Sequence, residues 1–474
     1  MTTISKRTRF PPEPNGYLHL GHVKAMMFDF ESDHCTVRFD DTNPETEKQS
    51  YVDAMIEDIN WLEYKYHRIT YTSDYFQELY DYAIFLIKLD LAYVDFTSRE
   101  EIKEMCKLGK ETKFRGVSSG VNLEEFGKMA TGVYGENEAV LRLKTDMSHK
   151  TMTMRDPIAY RIKLAKHFRT GDRWIIYPTY AYSHCIVDSL EKITHSYCTM
   201  EFYSRRELYF WILEKLKLTA AEVIEFGRLN VEDVSLSKRK IVPLIEKGDV
   251  TGFDDPRLYT IRGLRRRGFS PLVIKEIVSH STLKRQVSTI SKKFIDHSLR
   301  LSLWKQPRVF AVMDPIMVTI LNLTDAVPCS HPTHSIFLTK QVYIDKTDFR
   351  EKDSEDYYRL APPGKTIRLR FSDFITYVSH TSDNINVSLT TPANPKKIKG
   401  IIHWVNSGAS AAIFEIYQDK ILRYNGFIEP YALTQLDKIM QFERLGYFKF
   451  DRYSSEGVPI FLQVISLLDT YNKS

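Results

Sequence analysis

The sequence predicts a multidomain α/β plus β protein, with a doubly wound parallel sheet first and antiparallel β structure last. In the first 90 residues, and again after about residue 174, short β-branched and aromatic runs alternate with amphipathic helical stretches. This alternation is typical of a parallel sheet with helices on both faces. From Arg308 onward, alternating runs are separated by Pro, Gly and Asn, which indicates one or two antiparallel barrels. A chain of 474 residues is also too long for one ordinary domain.

The first strand, turn and helix are predicted around residues 9–22. An apolar start, two prolines and an Asn-Gly turn precede His19-Leu-Gly-His22, and one helix face then follows in Val23, Met26, Met27 and Phe30. A helix N-terminus attracts phosphate, to which two histidines add donors, and Gly21 leaves room for a flat ring or a sugar. Two histidines beside a turn are equally compatible with ordinary surface polar residues.

A second strand is predicted over residues 35–40, followed by the turn sequence Asp-Thr-Asn-Pro. A carboxylate at the C-terminal end of a parallel strand lies where α/β folds bind ligands, so Asp40 is a candidate ligand residue. We expect Asp41 or Thr42 to cap the next helix instead. Helices are predicted over residues 45–64 and after a capping sequence at residues 72–74.

Residues 91–174 are rich in Gly and Lys and contain short strands, which indicates an α+β insertion. The parallel sheet is expected to resume at residues 174–180, followed by helices over 183–193 and 205–217 and a strand over 224–229. Residues 230–240 form a basic loop that contains Ser235-Leu-Ser-Lys-Arg-Lys240. Such a loop could close over a polyphosphate or be a plain exposed basic loop. Residues 252–302 are predicted to be helical.

Composition narrows the class of protein. The formal net charge of +5 is compatible with nucleic acid without demonstrating it. Five scattered cysteines with no Cys-x-x-Cys pair indicate neither a disulfide framework nor a bound zinc, and favour a reducing compartment. Without an apolar signal region or a run long enough to span a bilayer, we expect a cytoplasmic protein with no membrane contact.

Residues 9–22 together with residues 235–240 resemble the paired signatures of class I aminoacyl-tRNA synthetases. More narrowly, the chain is similar to the glutaminyl-tRNA synthetases of the glutamyl/glutaminyl subclass. The matching segments run in order over nearly the whole chain: Thr8-Arg-Phe-Pro-Pro-Glu-Pro-Asn-Gly-Tyr-Leu-His19, Arg38-Phe-Asp-Asp-Thr-Asn-Pro44, Tyr177-Pro-x-Tyr180, Thr194-His-Ser-x-Cys-Thr199, Gly263-Leu-Arg-Arg-Arg-Gly268, Asp348-Phe-Arg-Glu351, Gly400-Ile-Ile-His-Trp404 and Gln441-Phe-Glu-Arg-x-Gly-Tyr447.

The resemblance implies a domain for each part of the chain. Residues 1–90 and 175–240 would form the two halves of a Rossmann-like catalytic domain, and residues 91–174 an acceptor-stem-binding insertion. Residues 241–307 would form a helical connecting subdomain, and residues 308–474 an anticodon-binding region of β-barrels. The implied activity is glutamine–tRNA ligation, with ATP, Mg²⁺, L-glutamine and tRNA(Gln) as substrates and partners, in a monomer.

The resemblance also implies roles for individual residues. His19, His22 and Lys238 would stabilise charge during catalysis. The implied ATP pocket comprises Glu13, Pro14, Asn15, His19, Leu20, Gly21, His22, Val23, Lys24, Ala25, Thr199, Arg228, Leu229, Leu236, Ser237 and Lys238. Asp40 would bind the α-ammonium of glutamine, while Arg9, Tyr180 and Cys198 would shape its side-chain pocket. The predicted tRNA contacts are Lys284, Arg285, Gln286, Lys397, Lys399, Gln441 and Arg444, and no residue is assigned to a protein-bound metal.

Two alternatives stay open, a glutamyl-tRNA synthetase of relaxed tRNA specificity and a tRNA-binding protein that has lost catalysis. In the glutamyl enzymes the position of Cys198 is typically Arg, which pairs with the substrate carboxylate, so a neutral Cys198 favours glutamine. The chain departs from the family at Val223, where Gln is usual, and at Ser204, where an Asp reads the acceptor stem. An anticodon-contacting element is also shortened near residues 335–338. We therefore expect tRNA discrimination to be relaxed, while the active site is expected to be intact.

Overall fold

The computed structural model describes residues 5–469 except Ser235 and Thr282. The chain divides into two compact units. The first comprises Met1–Pro243, Tyr259–Arg262 and Ile274–Ile290, and the second comprises Leu244–Leu258, Gly263–Val273 and Ser291–Ser474. Within the described residues, no helix is long and apolar enough to cross a membrane.

The first unit contains a parallel sheet with helices between its strands. Its first half runs β1 (Arg7–Phe10), α1 (Leu20–Asp29), β2 (His34–Phe39), α2 (Gln49–Trp61), β3 (Arg68–Tyr71) and α3 (Phe76–Lys88). Strands β1, β2 and β3 pair in parallel in that order. The expected strand–helix alternation is therefore confirmed, although the helix expected from residue 45 begins only at Gln49. Asp41 accepts bonds from the Ser73 backbone and hydroxyl, so it caps the turn before α3 and not α2.

An antiparallel insertion separates the two halves of this sheet. It contains β4 (Ala92–Asp95), α4 (Arg99–Leu108), α5 (Ser119–Ala130), β5 (Val140–Leu143), β6 (Ile158–Ile162) and β7 (Ile176–Pro178), with the four strands paired in that order. The prediction that the parallel sheet resumes at residues 174–180 is wrong, because β7 pairs antiparallel with β6. An isolated Ile-Ile-Tyr run carries no signal for which neighbour it pairs with.

The second half of the parallel sheet follows the insertion. It runs α6 (Tyr180–Leu190), β8 (His195–Thr199), α7 (Arg206–Leu216) and β9 (Glu222–Phe226), with β8 and β9 parallel. The Thr194 backbone N–H donates to the Arg7 carbonyl at 3.0 Å, which sets β8 beside β1. The strand order β3-β2-β1-β8-β9 therefore reverses direction at β1, as in a doubly wound sheet.

The elements after β9 differ from the expected strand, loop and helices. The strand predicted over residues 224–229 is split into β9 and β10 (Leu229–Val231), because the Gly227 N–H is taken by the Lys284 carbonyl at 2.7 Å. Helix α8 (Lys238–Glu246) begins inside the predicted basic loop. The region expected to be helical contains α9 (Ile261–Arg267), α10 (Pro271–Ser279) and α11 (Lys292–Ser302), but also strand β11 (Ser288–Ile290), which pairs with β10.

The second unit contains two seven-stranded sheets, and each closes on itself. We call one the inner sheet because its strands lie, in the sequence, between strands of the other, the outer sheet. The outer sheet, in spatial order, is β12 (Arg308–Val309), β25 (Ile439–Phe442), β26 (Gly446–Tyr453), β27 (Pro459–Ile465), β23 (Ser410–Tyr417), β24 (Ile421–Ile428) and β13 (Ala311–Val312). Its two edge strands, β12 and β13, are separated along the chain by Phe310 alone. The two edges are thereby joined, which makes the sheet a barrel.

The inner sheet closes in the same way. Its spatial order is β21 (Ile401–Ile402), β18 (Thr366–Leu369), β19 (Phe374–His380), β20 (Asn384–Thr390), β14 (Pro315–Ile320), β17 (Gln341–Asp345) and β22 (Val405–Asn406), and only His403 and Trp404 separate its edge strands. The strands of the inner barrel lie in the sequence between β13 and β23 of the outer one. The short hairpin of β15 (Val327–Cys329) and β16 (Ile336–Leu338) and the helix α12 (Pro430–Leu433) complete the unit. The expected barrels are confirmed, although each also contains two parallel strand pairs.

A buried network of four charged side chains ties the parallel sheet to α6. The Arg9 Nε donates to Asp188 Oδ1 at 3.0 Å, and Arg38 donates to both Asp188 and Glu191. Glu191 also accepts the hydroxyls of Thr70 at 2.6 Å and Tyr75 at 3.1 Å. Although burial opposes its ionisation, the guanidinium groups of Arg9 and Arg38 lower the pKa of Asp188 to about 2. The network joins β1, β2 and β3 to one helix.

We predict that Asp188→Asn lowers the unfolding free energy of the parallel sheet by about 3–5 kcal/mol, because it leaves two buried guanidinium groups without a full countercharge. Hydrogen-exchange mass spectrometry in increasing urea measures this on peptides from β1 and α6. Glu31→Gln is the matched control, since the Glu31–Lys6 pair at 3.0 Å is largely exposed and is expected to contribute less than about 1 kcal/mol. Equal effects of the two variants would contradict the prediction.

Candidate active site

A cavity of about 930 Å³ opens in the first unit at the C-terminal ends of β1, β2 and β8. Its wall includes Phe10 at the end of β1, Asp40 just after β2 and Thr199 at the end of β8. This is the edge at which the strand order reverses. In open α/β sheets the space outside the strand ends at such a switch point is the usual ligand site.

The two histidines of the opening stretch cap α1 reciprocally. His19 Nδ1 accepts the Gly21 N–H at 3.1 Å, and His22 Nδ1 accepts the His19 N–H at 3.1 Å. Burial lowers the pKa of His22 to about 4 and, with the neighbouring His22 ring, lowers that of His19 well below its usual range. Both rings are therefore neutral at pH 7. Because each Nδ1 accepts a hydrogen bond, each ring proton is on Nε2, which remains a donor.

Gly21 leaves room for the ring of His19. A Cβ at this position would lie 2.9 Å from His19 Cε1 and 3.0 Å from its Nδ1. That Gly21 also leaves room for a flat ring or a sugar of a ligand stays a prediction. The reciprocal cap depends on this space, because the His19 ring must fold back over the first turn.

Asp40, Tyr180 and Cys198 all line the cavity, as the sequence predicts for one site. Burial and the Glu13 carboxylate raise the pKa of Asp40 to about 6, although the Thr72 hydroxyl donates to it at 3.3 Å. The Tyr180 ring stacks on His184, with ring centroids 4.5 Å apart. Burial raises the pKa of the Cys198 thiol to about 11, so this thiol is neutral at pH 7.

Arg9 does not line the cavity, although it was predicted to shape the side-chain pocket. Its side chain is 1% exposed, and it donates to Asp188 and to the Tyr197 carbonyl, the latter at 2.8 Å. A role for Arg9 in amino-acid binding stays a prediction.

Lys238 lies against the turn before α1. Its Nζ donates to the Asn15 carbonyl and is 4.8 Å from the centroid of the Tyr51 ring. Lys238 is the first residue of α8, whose first turn donates to the Ser237 carbonyl from the N–H groups of Lys240 and Ile241. The basic sequence thus begins a helix, and Ser235 lies outside the described residues.

The other predicted ATP residues divide into two groups. Glu13, His22, Ala25 and Thr199 line the cavity. Those that do not are Pro14, Asn15, His19, Leu20, Gly21, Val23, Lys24, Arg228, Leu229, Leu236, Ser237 and Lys238. Leu20 and Val23 are buried, and the buried amine of Lys24 donates to Ser288 Oγ at 3.3 Å. Arg228 forms an ion pair with Glu201.

The residues predicted to contact tRNA lie in both units. In the first unit, residues 284–286 cross the chain at Gly227, where a Cβ would approach the Gln286 carbonyl to 1.8 Å, and Arg285 pairs with Glu225 at 3.0 Å. In the second unit, the Lys399 amine lies 4.9 Å from the Tyr358 ring centroid, Lys397 ends a short 3₁₀ turn, and Gln441 lies in β25. Arg444 donates to both carboxylate oxygens of Asp348, at 2.7 and 2.8 Å.

Several cavity residues carry no distinct signal in the sequence. Arg161, Phe202 and Arg205 line the cavity, and so does Asp29 at the end of α1. Arg239, which belongs to the predicted basic loop, lines it too. Basic residues of the insertion could not be separated from a solvated face by charge alone, so Arg161 was not identified. At the two departures from the family, Val223 packs in the apolar core and the Ser204 carbonyl accepts the Thr153 hydroxyl. Val223 does not line the cavity.

Three family models match successive parts of the chain. Residues 5–303 match the family described as "tRNA synthetases class I (E and Q), catalytic domain". Residues 306–391 and 374–451 match two families described as the anti-codon binding domain of the same enzymes. The chain belongs to the class I tRNA synthetases of this E and Q group.

The curated relatives share one printed name. A "Glutamine--tRNA ligase" of Hamiltonella defensa is 38% identical over 97% of this chain and 93% of its own length. The "Glutamine--tRNA ligase" of Vibrio parahaemolyticus is 38% identical over 99% and 95%. The "Glutamine--tRNA ligase, cytoplasmic" of Arabidopsis thaliana is 40% identical over 98% of this chain and 65% of the longer relative.

We predict that the His22 imidazole keeps one tautomer, with its proton on Nε2, from pH 8 down to about pH 5. ¹⁵N NMR of the folded protein, with the signal assigned through His22→Gln, measures this. The protein in urea is the control, because an unfolded histidine titrates near about 6.5. Since folding lowers this pKa, the contribution of His22 to stability is full above about 6.5 and is lost as the pH falls through about 4. Titration of the folded signal near pH 6.5 would contradict the prediction.

Proposed function

We propose that the protein is a glutamine–tRNA ligase, which converts ATP, L-glutamine and tRNA(Gln) to glutaminyl-tRNA, AMP and pyrophosphate. The observation that carries this proposal is Cys198 in the cavity wall, within a chain whose family comprises the glutamate and glutamine enzymes. A neutral thiol supplies no countercharge for the side-chain carboxylate of glutamate. It suits the uncharged amide of glutamine.

The proposed reaction needs no protein nucleophile or general base. The carboxylate of glutamine attacks the α-phosphate of ATP, and pyrophosphate leaves. The glutaminyl group then passes to the 2′-hydroxyl of the terminal adenosine of tRNA(Gln). The protein contributes positioning and charge stabilisation, and Mg²⁺ enters with the nucleotide as part of the substrate.

The donors at the mouth of α1 suit this chemistry. His22 lines the cavity, and both His19 and His22 carry their protons on Nε2 at neutral pH. As neutral donors, they hydrogen-bond phosphate oxygens without having to lose or gain a proton during the reaction. Lys238 holds the Asn15 carbonyl beside this helix and would turn its amine to the leaving pyrophosphate when ATP binds.

The amino acid is proposed to bind in the same cavity, at Asp40, Tyr180 and Cys198. Asp40 would bind the α-ammonium, and the approach of that cation would lower its pKa from about 6 and complete its ionisation. Tyr180 and Cys198 would enclose the side chain. The basic residues Arg161, Arg205 and Arg239 would receive the acceptor end of the tRNA at this cavity.

The proposal also assigns a role to each domain of the chain. We assign residues 1–90 and 179–240 to catalysis, residues 91–178, which include β7, to the acceptor stem, residues 241–307 to the connection and residues 308–474 to the anticodon. The enzyme is proposed to be monomeric. It is also proposed to be cytoplasmic, a location that the printed name of the Arabidopsis relative gives for that protein.

Aminoacylation of tRNA(Gln) and tRNA(Glu) transcripts with labelled glutamine and glutamate tests the function. We expect charging of tRNA(Gln) with glutamine. Preferential charging with glutamate would instead identify a glutamyl enzyme of relaxed specificity. Retardation of tRNA on a gel without any charging would identify a binding protein that has lost catalysis, and either result would overturn the proposal.

We predict that Cys198→Arg raises kcat/KM for glutamate relative to glutamine by at least about tenfold, because it supplies the missing countercharge in the cavity wall. ATP–pyrophosphate exchange with each amino acid in the presence of tRNA measures the ratio. Cys198→Ser is the matched control and is expected to keep the preference for glutamine, since its hydroxyl is also neutral. An unchanged ratio in Cys198→Arg would remove Cys198 from the specificity argument.

A further inference from the structure

Asp29 is a buried carboxyl group that the proposed reaction does not use. It lines the cavity together with His22 and Ala25, and these residues are spaced three and four apart on α1, so they share one helix face. Asp29 is 1% exposed. Its backbone carbonyl accepts the Thr8 hydroxyl, but its Oδ1 accepts no hydrogen bond from any of the described residues.

A buried carboxyl oxygen without a partner is costly. Leaving such an acceptor unsatisfied is unfavourable, and more so when the group is charged. Burial raises the pKa of Asp29 well above its usual range, against the opposing effect of the Arg9 charge. A residue of this kind at the wall of a ligand cavity is explained if the ligand, or a water that the ligand contacts, supplies the missing donor.

The charge of Arg9 is the main influence that opposes the raised pKa of Asp29, but Arg9 already has partners. Arg9 Nε donates to Asp188 Oδ1 at 3.0 Å, and its Nη1 donates to the Tyr197 carbonyl at 2.8 Å. Arg9 is thus already engaged by Asp188 and the Tyr197 carbonyl, and it is a poor countercharge for the carboxylate of a substrate.

We propose that Asp29 is a specificity-determining residue that favours glutamine over glutamate in this cavity, a proposal that rests on the glutamine–tRNA ligase function. The amide of glutamine has two N–H donors for Asp29 Oδ1, directly or through one water, whereas the carboxylate of glutamate has acceptors only. Glutamate would leave Asp29 Oδ1 without a donor and would bring a second carboxyl group beside the first in one buried site.

The test uses the full-length protein with tRNA(Gln) and compares Asp29→Asn and Asp29→Ser with the wild type. Asp29→Asn is nearly isosteric and removes the charge, and Asp29→Ser removes the charge with a smaller side chain. ATP–pyrophosphate exchange gives kcat/KM for glutamine and for glutamate. We expect the glutamate-to-glutamine ratio to rise by about tenfold or more in both variants.

Two control variants separate specificity from stability. Asp29→Glu keeps the carboxyl group and is expected to retain the preference of the wild type. Asp33→Asn removes an exposed carboxylate a few residues further along the chain and is expected to change nothing. A packing defect would lower both kcat/KM values together and leave their ratio unchanged. An unchanged ratio in both Asn and Ser variants would overturn the role of Asp29.

Failure of the underlying function gives a different result. If the wild type does not use glutamine, the ligase proposal itself fails. If the wild type uses glutamine and the ratio does not respond to Asp29, only the present inference fails.

Discussion

The buried charge network of Arg9, Arg38, Asp188 and Glu191 is the interaction on which the first unit depends. Two positive and two negative groups lie in the interior with a balanced formal charge, so each is stable only while the others are present. The arginines come from neighbouring parallel strands, while Asp188 lies in α6 and Glu191 directly follows that helix. The network therefore fixes the lateral order of the strands as well as the position of the helix that follows the insertion.

That constraint reaches the cavity through β1 and β8. Arg9 also holds the Tyr197 carbonyl, one residue before Cys198 and two before Thr199, both of which line the cavity. At the start of α1, the reciprocal cap of His19 and His22 holds the first turn of the helix. Ligand-facing groups are thus positioned by interactions made within the protein itself, which is the condition for catalysis by preorganised donors.

The sequence predicted the features that local chemistry determines. The Asn-Gly turn, the start of α1 and the place of Asp40 after a strand all follow from residues close together in the chain. What it could not supply depends on distant partners. Arg9 and Asp188 are 179 positions apart, β7 pairs with the insertion although its sequence resembles any buried strand, and Gly227 is explained only by residues 284–286 crossing it. In the sequence, Arg161 and Arg205 cannot be told from ordinary surface charge, and only the fold brings them to the cavity.

The nesting of the two barrels has a consequence for the order of events during synthesis. The inner barrel uses residues 315–406 and is complete once β22 has been made. The outer barrel begins earlier, with β12 and β13, but its remaining strands lie after residue 409. A ribosome therefore releases every strand of the inner barrel before β12 and β13 can find their partners. Closure of the outer barrel waits for the last third of the second unit, and until then two short strands remain with exposed edges.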